Sequence, residues 1–202
     1  MAEVKVLIIG HHSHQDGILD IGSSVALIKS DHNILVDSGY FTDTEEIIAK
    51  LKEENLTPSD IDIVVLTHVH TDHVANNYLF DKAKIYCKFK GDSEYPGQYH
   101  DRLTGKANRT DILDGTKLAD GVEFLETPGH TNDSISVVVE TKEGKVVIAG
   151  DAIAEEDLID FANEPKSFII YDLEKYNASR RKILAIADYI VPGHGPMFKI
   201  EK

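Results

Sequence analysis

Short apolar runs, several of them rich in β-branched residues, recur along this chain and predict a protein built mainly on β-strands. The predicted strands are residues 4–9, 25–29, 34–36, 61–66, 83–87, 122–126, 134–140, 146–149 and 189–191. The run at 61–66 is almost continuously apolar, which is typical of a strand covered by other elements on both faces. The strands at 134–140 and 146–149 are joined by a short turn with a glycine and are predicted to form a hairpin.

Two segments have the spacing of helices. Thr42 and Glu45 are placed as a capping box and predict the start of a helix. The apolar residues predicted to share one face of that helix are Ile47, Ile48 and Leu51. A second helix is predicted at residues 173–189, where apolar side chains recur at helical spacing.

The order of these elements predicts one domain of class α+β over residues 1–202, with strands inside and helices outside. Residues 91–115 interrupt the pattern, because they are polar, lack periodicity and are too long for a plain connection. We expect a loop there. It either contacts an anionic substrate through Arg102 and Arg109 or is an ordinary solvated connection.

The composition is that of a globular protein, with 42% hydrophobic and 28% charged residues, and the net charge is −14. Such an acidic surface repels phosphate backbones and anionic lipid. We therefore expect a small-molecule substrate and no membrane partner. Nucleic acid is disfavoured as a partner without being excluded. No apolar run approaches the ~20 residues that span a bilayer. The single cysteine, Cys87, excludes an internal disulfide and is expected to be a packing residue, which fits a cytoplasmic location.

Potential metal ligands are concentrated directly after the predicted strand at 61–66. They are His68, His70, Asp72 and His73. On a turn at the end of a strand such side chains can converge on one point, and imidazole with carboxylate but no thiolate suits zinc, iron or manganese. The alternative, a solvated turn with accidental histidines, is disfavoured by the density of ligand types in so short a segment.

Three later residues also follow predicted strands. They are His130, Asp151 and His194. Each histidine comes directly after Pro-Gly, which fixes a turn, and the aspartate follows an apolar run. Singly each is weak evidence, because a histidine on such a turn is more often structural. Together with the first cluster they all lie at strand ends, where open sheets present functional residues.

The order His-x-His-x-Asp-His, followed by a single His, Asp and His, resembles the metallo-β-lactamase-fold superfamily. The likeness extends over residues 25–198 and includes Asp37-Ser38-Gly39, which is similar to the aspartate-x-glycine element of that family. Residues 179–184 and 190–196 are similar to the C-terminal segment of the metallo-β-lactamase-domain-containing protein 1 group. The resemblance implies a four-layer αββα sandwich with a metal site at the edges of its two sheets.

The same resemblance implies how the ligands are divided. Those implied for a first metal are His68, His70 and His130. Those implied for a second metal are Asp72, His73 and His194. Asp151 would bridge the two metals, and Asp37 would orient a ligand by hydrogen bonding. Two zinc ions are expected, with iron or manganese as alternatives.

These residues predict a hydrolase. A metal pair lowers the pKa of a shared water towards 7, so a metal-activated hydroxide is expected, with Asp72 as the catalytic residue that orients it or passes a proton to the leaving group. The expected substrate is a small ester, thioester or lactone. Only eight residues follow His194, so neither the added domain of glyoxalase II-type enzymes nor the insertion of the large RNA-processing nucleases is expected.

Other functions stay open. A phosphodiesterase or ribonuclease would use the same metals, although the net charge of −14 disfavours a polyanion. A mononuclear iron persulfide dioxygenase would leave the second site empty, although this sequence keeps every ligand of that site. A non-catalytic metal module ranks last, because structural zinc sites are usually closed by four protein ligands. A homodimer is plausible.

Three further histidines follow the first predicted strand. They are His11, His12 and His14. They could border the pocket, but nothing in the sequence fixes their geometry. We therefore expect a mobile polar loop there and do not count these histidines among the site residues.

Overall fold

The structure, a computed structural model, describes residues 1–88, 98–101, 106–109, 112–163 and 170–201. In chain order the strands are β1 (Glu3–Ile8), β2 (His11–Gln15), β3 (Ile18–Gly22), β4 (Val25–Lys29), β5 (Asn33–Val36), β6 (Ile63–Leu66), β7 (Lys84–Cys87), β8 (Gln98–Asp101), β9 (Lys106–Arg109), β10 (Lys117–Ala119), β11 (Val122–Glu126), β12 (Ile135–Glu140), β13 (Lys145–Gly150), β14 (Tyr189–Pro192) and β15 (Phe198–Lys199). The α-helices are α1 (Thr44–Glu53), α2 (Thr71–Val74) and α3 (Leu173–Ile186).

The strands form two large sheets and a separate hairpin. The first sheet has the order β1-β4-β5-β6-β7-β8-β9, the second has the order β10-β11-β12-β13-β14-β15, and β2 pairs with β3. Strands β5, β6 and β7 are parallel neighbours, and so are β13 and β14. Parallel neighbours end at the same edge of a sheet, which places the segments that follow them side by side.

Apolar side chains fill the spaces between four layers. In the middle, Val65 of β6 packs among apolar side chains of both sheets. Behind the first sheet, its neighbour Val64 packs with Leu51 of α1. Behind the second sheet, Val147 of β13 packs with Ile183 of α3. The architecture is therefore the predicted four-layer αββα sandwich of class α+β. The continuous apolar run of β6 is explained as well, because its alternate side chains enter two different cores.

All the predicted strands are present, with ends shifted by no more than two residues. The predicted start of the first helix is wrong in detail, because a turn of 3-10 helix at Phe41–Asp43 precedes α1. The capping pair of that turn is Tyr40 and Asp43, because Oδ2 of Asp43 accepts from the Tyr40 amide at 2.7 Å, and the predicted pair of Thr42 and Glu45 does not form it. Helix α3 ends at Ile186, three residues before the predicted end.

The polar stretch 91–115 is not a plain loop, because β8 and β9 lie within it and extend the first sheet from the edge of β7. Sheet pairing uses backbone groups that every non-proline residue carries, so an open edge can recruit a segment whose side chains show no strand pattern. Arg102 lies outside the described residues, and Arg109 is the last residue of β9. A contact of either residue with substrate stays a prediction.

The loop expected at His11 to His14 is instead strand β2, paired with β3 from His11 opposite Gly22 to Gln15 opposite Ile18. Asp16 and Gly17 connect the two strands, and both have positive φ, 53° and 77°. That is the geometry of a type I′ turn, for which Asp-Gly is a preferred pair. The Asp16-Gly17 pair is therefore a hairpin signal in the sequence, and the predicted loop is wrong. Separately, no helix in the described part of the chain is long and apolar enough to cross a membrane.

Cys87, the last residue of β7, provides a test of the core. It is buried, and burial together with the charges of Asp133 and Asp37 raises the pKa of its thiol to about 12. Because the thiolate is the reactive form, we expect the folded protein to react slowly with Ellman's reagent at about pH 8, whereas the urea-unfolded chain reacts at once. Rapid stoichiometric labelling of the folded chain would show that this end of β7 is open to solvent.

Candidate metal centre

Strands of both sheets end at one edge of the sandwich, and the predicted ligands come directly after them. In the first sheet, β6 leads into residues 68–73. In the second sheet, β11, β13 and β14 run in the same direction, because β11 and β13 are both antiparallel to β12 while β14 is parallel to β13. They lead into His130, Asp151 and His194, so residues far apart in the sequence meet at this edge.

The seven predicted ligands form two groups, and within each group the potential ligand atoms lie within 4.8 Å of one another. The first group is His68, His70, His130 and Asp151. The second group is Asp72, His73 and His194. The structure thus brings together every side chain that the sequence selected for this site, and the assignment of these side chains to two metals stays a prediction.

Asp151 stands between the two groups. Its Oδ2 lies 3.4 Å from Nε2 of His130 in the first group. Its Oδ1 lies 3.2 Å from Nε2 of His73 and 3.3 Å from Nε2 of His194 in the second group. This is the position in which the resemblance puts a bridging carboxylate.

A buried carboxylate fixes the orientation of the second group. Oδ2 of Asp37 lies 2.8 Å from Nδ1 of His73 and accepts from the Thr67 hydroxyl at 2.8 Å, while its Oδ1 accepts from the Thr67 amide at 2.8 Å. The carboxylate therefore keeps a proton on Nδ1 of His73, so that Nε2 is the nitrogen that a metal ion would take. Asp37 also has a φ of 60°, a conformation that costs a non-glycine residue roughly 1–3 kcal/mol and persists where surrounding contacts determine it.

The same hydrogen bonds set the tautomer of His68. Because the Thr67 hydroxyl donates to Asp37, it accepts from Nδ1 of His68, 3.1 Å away. Nε2 of His68 is then a lone-pair acceptor, buried and without a hydrogen-bond partner in the described part of the chain. An unsatisfied buried polar atom costs about 1–3 kcal/mol. A metal ion at this position would relieve that cost, so this atom indicates that the site fits a metal.

Backbone and ring contacts orient the other histidines. Nδ1 of His194 donates to the carbonyl of Gly22 at 2.9 Å, which leaves its Nε2 facing Asp151. In the first group, Nδ1 of His70 and Nε2 of His130 lie 3.0 Å apart. Both rings pack edge to face with the ring of His68, so nitrogen atoms of three imidazoles converge. His70 is the exposed member of its group and leaves one side of the site open.

Burial and charge oppose each other in the site. Burial lowers the pKa of His68 well below its usual value, with a further contribution from His73, so the ring of His68 is neutral. Burial also acts to lower the pKa values of His73 and His194, but the nearby carboxylates outweigh it and raise both. The pKa of Asp151 is held well below its usual range, because His73 and His194 outweigh the effect of its burial.

Close backbone packing holds the turns that carry the later ligands. Gly129, with φ 139°, has no room for a side chain, since a Cβ there would lie 2.2 Å from the Tyr176 nitrogen in α3. Its carbonyl accepts from the Asp172 amide at 2.9 Å, which fixes the turn before His130 to the start of α3. Across the site, the Ser24 amide donates to the carbonyl of Gly193 at 2.7 Å.

Two residues at this site were not among the predicted site residues. Thr67, the hydrogen-bond partner of Asp37, precedes the histidine cluster and has no signal in the sequence beyond that position. His12 lies on the hairpin with its ring centroid 6.0 Å from that of His194, and the Asp16-Gly17 turn signal could have placed it on a strand.

Comparison with known proteins agrees with this geometry. The chain matches the family model described as Metallo-beta-lactamase superfamily over residues 5–194. It is similar to Metallo-beta-lactamase domain-containing protein 1 of Xenopus laevis, with 36% identity over 203 residues, covering 98% of this chain and 82% of that protein. It is also similar to a Methanocaldococcus jannaschii protein named "Probable metallo-hydrolase", with 33% identity over 170 residues, covering 84% of this chain and 74% of that protein.

Among solved structures, the crystal structure of a candidate metallo-beta-lactamase from Thermotoga maritima is similar in fold, with a TM-score of 0.76 at 22% identity. That similarity covers 98% of this chain and 99% of the other. The family model includes every residue of both groups of the candidate metal centre. The chain therefore belongs to the metallo-beta-lactamase superfamily, a family of metal-dependent hydrolases.

Proposed function

We propose that this chain holds two metal ions, with zinc as the expected metal, and hydrolyses a small ester, thioester or lactone. The observation that carries the proposal is the pair of neighbouring ligand groups with Asp151 between them. Imidazole and carboxylate donors without thiolate suit zinc, and the exposed side at His70 leaves space for a substrate. A net charge of −14 favours a small substrate over a polyanion.

Two cations bound between these groups would lower the pKa of a shared water towards neutrality and polarise the bond to be cleaved. The chain itself contributes orientation, because the hydrogen bonds from His73 to Asp37 and from His194 to Gly22 hold both rings with Nε2 facing Asp151. Fixed donors of this kind need no reorganisation during the reaction.

Asp72 is the residue that we assign to proton transfer. Its Oδ2 is buried and lies 3.5 Å from Nε2 of His73 and 3.8 Å from Nε2 of His194. The Ser23 hydroxyl donates to its backbone carbonyl at 2.8 Å and fixes this turn. A carboxylate held there can accept a proton from the attacking water and return it to the leaving group.

The first test combines metal content with turnover. Protein purified without chelators or nickel resin is expected to carry about two zinc ions per chain by mass spectrometry and to hydrolyse members of a panel of esters, thioesters and lactones. Asp72→Asn removes the proton acceptor at constant size and should lower kcat by at least about a hundredfold. If the protein carries one iron ion and no zinc and consumes oxygen in the presence of persulfides, the iron persulfide dioxygenase replaces this proposal. If it hydrolyses only phosphodiesters, the phosphodiesterase or ribonuclease replaces it.

Asp62→Asn is the matched control for Asp72→Asn. Asp62 is an exposed carboxylate at the opposite end of β6, where it accepts from the Asn33 amide at 2.9 Å. Its substitution should leave kcat unchanged. A folded Asp72→Asn variant with the activity of this control would overturn the assignment of Asp72.

Asp37→Asn tests the hydrogen bonds behind the ligands. The asparagine side chain has one NH2 group, which is a hydrogen-bond donor. In either orientation of the amide, this group faces another donor, which is the Thr67 amide or Nδ1–H of His73. The repulsion between two donors at His73 is relieved when the ring carries its proton on Nε2 instead of Nδ1. Nε2 then has no lone pair with which to bind a metal ion. We expect zinc affinity to fall about 10–100-fold in competition with a chelating dye. Affinity equal to that of Asp62→Asn would show that Asp37 does not orient the site.

Zinc binding should also release protons. His73 and His194 have raised pKa values, so the metal-free protein holds protons on these rings that a bound cation must displace. Because more of the rings are protonated at lower pH, proton release per zinc should be larger at about pH 6.5 than at about pH 8. Weakly buffered titration with a pH indicator measures this release, and zinc binding without any release of protons would mean that other groups bind the metal.

A further inference from the structure

The three histidines of the β2–β3 hairpin lie outside both ligand groups, and their burial differs. His11 and His14 are exposed, and Nε2 of His11 lies 3.2 Å from the exposed Asp20. The side chain of His12 is only 9% exposed, with its ring centroid 6.0 Å from that of His194. Strand alternation turns His12 to the face opposite that of His11. The hairpin therefore brings one imidazole against the second group.

The position of His12 is fixed from two sides. Its Nδ1 lies 3.4 Å from Oε1 of Glu155. Glu155 directly follows Ala154, whose carbonyl accepts from the His194 amide at 2.7 Å. On the other side, Gly22 at the end of β3 accepts from Nδ1 of His194 at 2.9 Å. The hairpin, the turn after β13 and the ligand His194 therefore hold the His12 ring at one place beside the site.

This arrangement differs from that of a ligand. His12 does not belong to either group of closely spaced ligand atoms, although it lies beside His194. A carboxylate beside Nδ1 favours the tautomer with the proton on that nitrogen, as a second partner of a histidine generally does. Nε2 is then an acceptor for a hydrogen bond. An almost buried imidazole with an acceptor nitrogen next to a reaction centre is suited to contact a polar group of the substrate.

We propose that His12 is a substrate-binding residue, whose Nε2 accepts a hydrogen bond from an N–H or O–H group of the substrate portion that lies over the second group. This rests on the proposed hydrolase function and narrows its substrate class. The preferred ester, thioester or lactone carries a hydrogen-bond donor beside the bond that is cleaved. Glu155 acts as a positioning residue that sets the tautomer of His12. A site with a buried acceptor rejects analogues that lack the donor, because the acceptor is left unpaired.

Two substitutions separate this role from a structural one. The amide of His12→Asn reaches the place of Nδ1 and keeps a partner for Glu155, whereas the amide of His12→Gln reaches the place of Nε2. His14→Gln is the matched control, because His14 is on the same strand face and is exposed. The substrates are paired, with α-hydroxy-γ-butyrolactone against γ-butyrolactone and methyl lactate against methyl propionate.

In the zinc-loaded protein, His12→Asn is expected to lower kcat/KM for the hydroxylated member of each pair by about tenfold or more, and to change the unsubstituted member little. His12→Gln should keep most of the activity, and His14→Gln all of it, with metal content and thermal unfolding unchanged in each variant. Equal rates for His12→Asn and His14→Gln overturn the proposal. The opposite pattern, in which His12→Asn keeps the activity and His12→Gln loses it, also overturns the proposal. Loss of metal from His12→Asn overturns it as well.

Failure of the proposed function is detected separately. If the zinc-loaded wild-type chain hydrolyses no member of the panel, that function fails, and His12 is then tested by binding. Lactate and propionate are titrated into the cobalt-loaded protein and followed by its visible absorption. A preference for lactate that His12→Asn weakens and His12→Gln keeps supports the proposal. If the wild type and His12→Asn prefer lactate over propionate to the same extent, the proposal is overturned.

Discussion

The buried carboxylate of Asp37 is the contact on which the candidate metal centre depends. Through Thr67 it fixes the end of β6, and through His73 it fixes the second group. Because the Thr67 hydroxyl donates to it, the same carboxylate decides where the proton of His68 lies. One side chain thus sets the tautomers of a histidine in each group. The left-handed backbone of Asp37, with φ 60°, is the strain that this arrangement requires.

The rest of the fold makes that arrangement rigid. The strands that precede the ligands enter closely packed apolar cores, and strands of this kind hold their ends in fixed places. The ligands themselves are on turns, where side chains are not confined to the two faces of a sheet. Buried histidines and carboxylates would be costly without partners, and here they pair mainly with one another. The pairing leaves Nε2 of His68 buried and without a hydrogen-bond partner in the described part of the chain, which is the state expected of an atom that can bind a metal ion.

The two sides of the site are built differently. The candidate metal ligands come from the ends of sheet strands, whereas His12 comes from a hairpin outside both large sheets. The base of the hairpin is fixed, because Gly22 accepts from His194 and the Gly10 amide donates to the Ser24 hydroxyl at 3.1 Å. Its tip is open to solvent, where Ile18 is 69% exposed, so the fixed base places the His12 ring beside the candidate metal centre.

The local features can be read from the sequence alone. Short apolar runs located the strands, and the cluster from His68 to His73 located the site, because a strand pattern and a dense ligand motif are properties of neighbouring residues. Which distant turns meet depends on the tertiary structure, since His130 and His194 are brought to that cluster by the order and direction of strands. The same holds for β8 and β9, because β8 pairs with the open edge of β7 and β9 pairs with β8. The difference between His12 and His14, identical residues two positions apart, depends on what packs against the hairpin, and no local pattern contains that information.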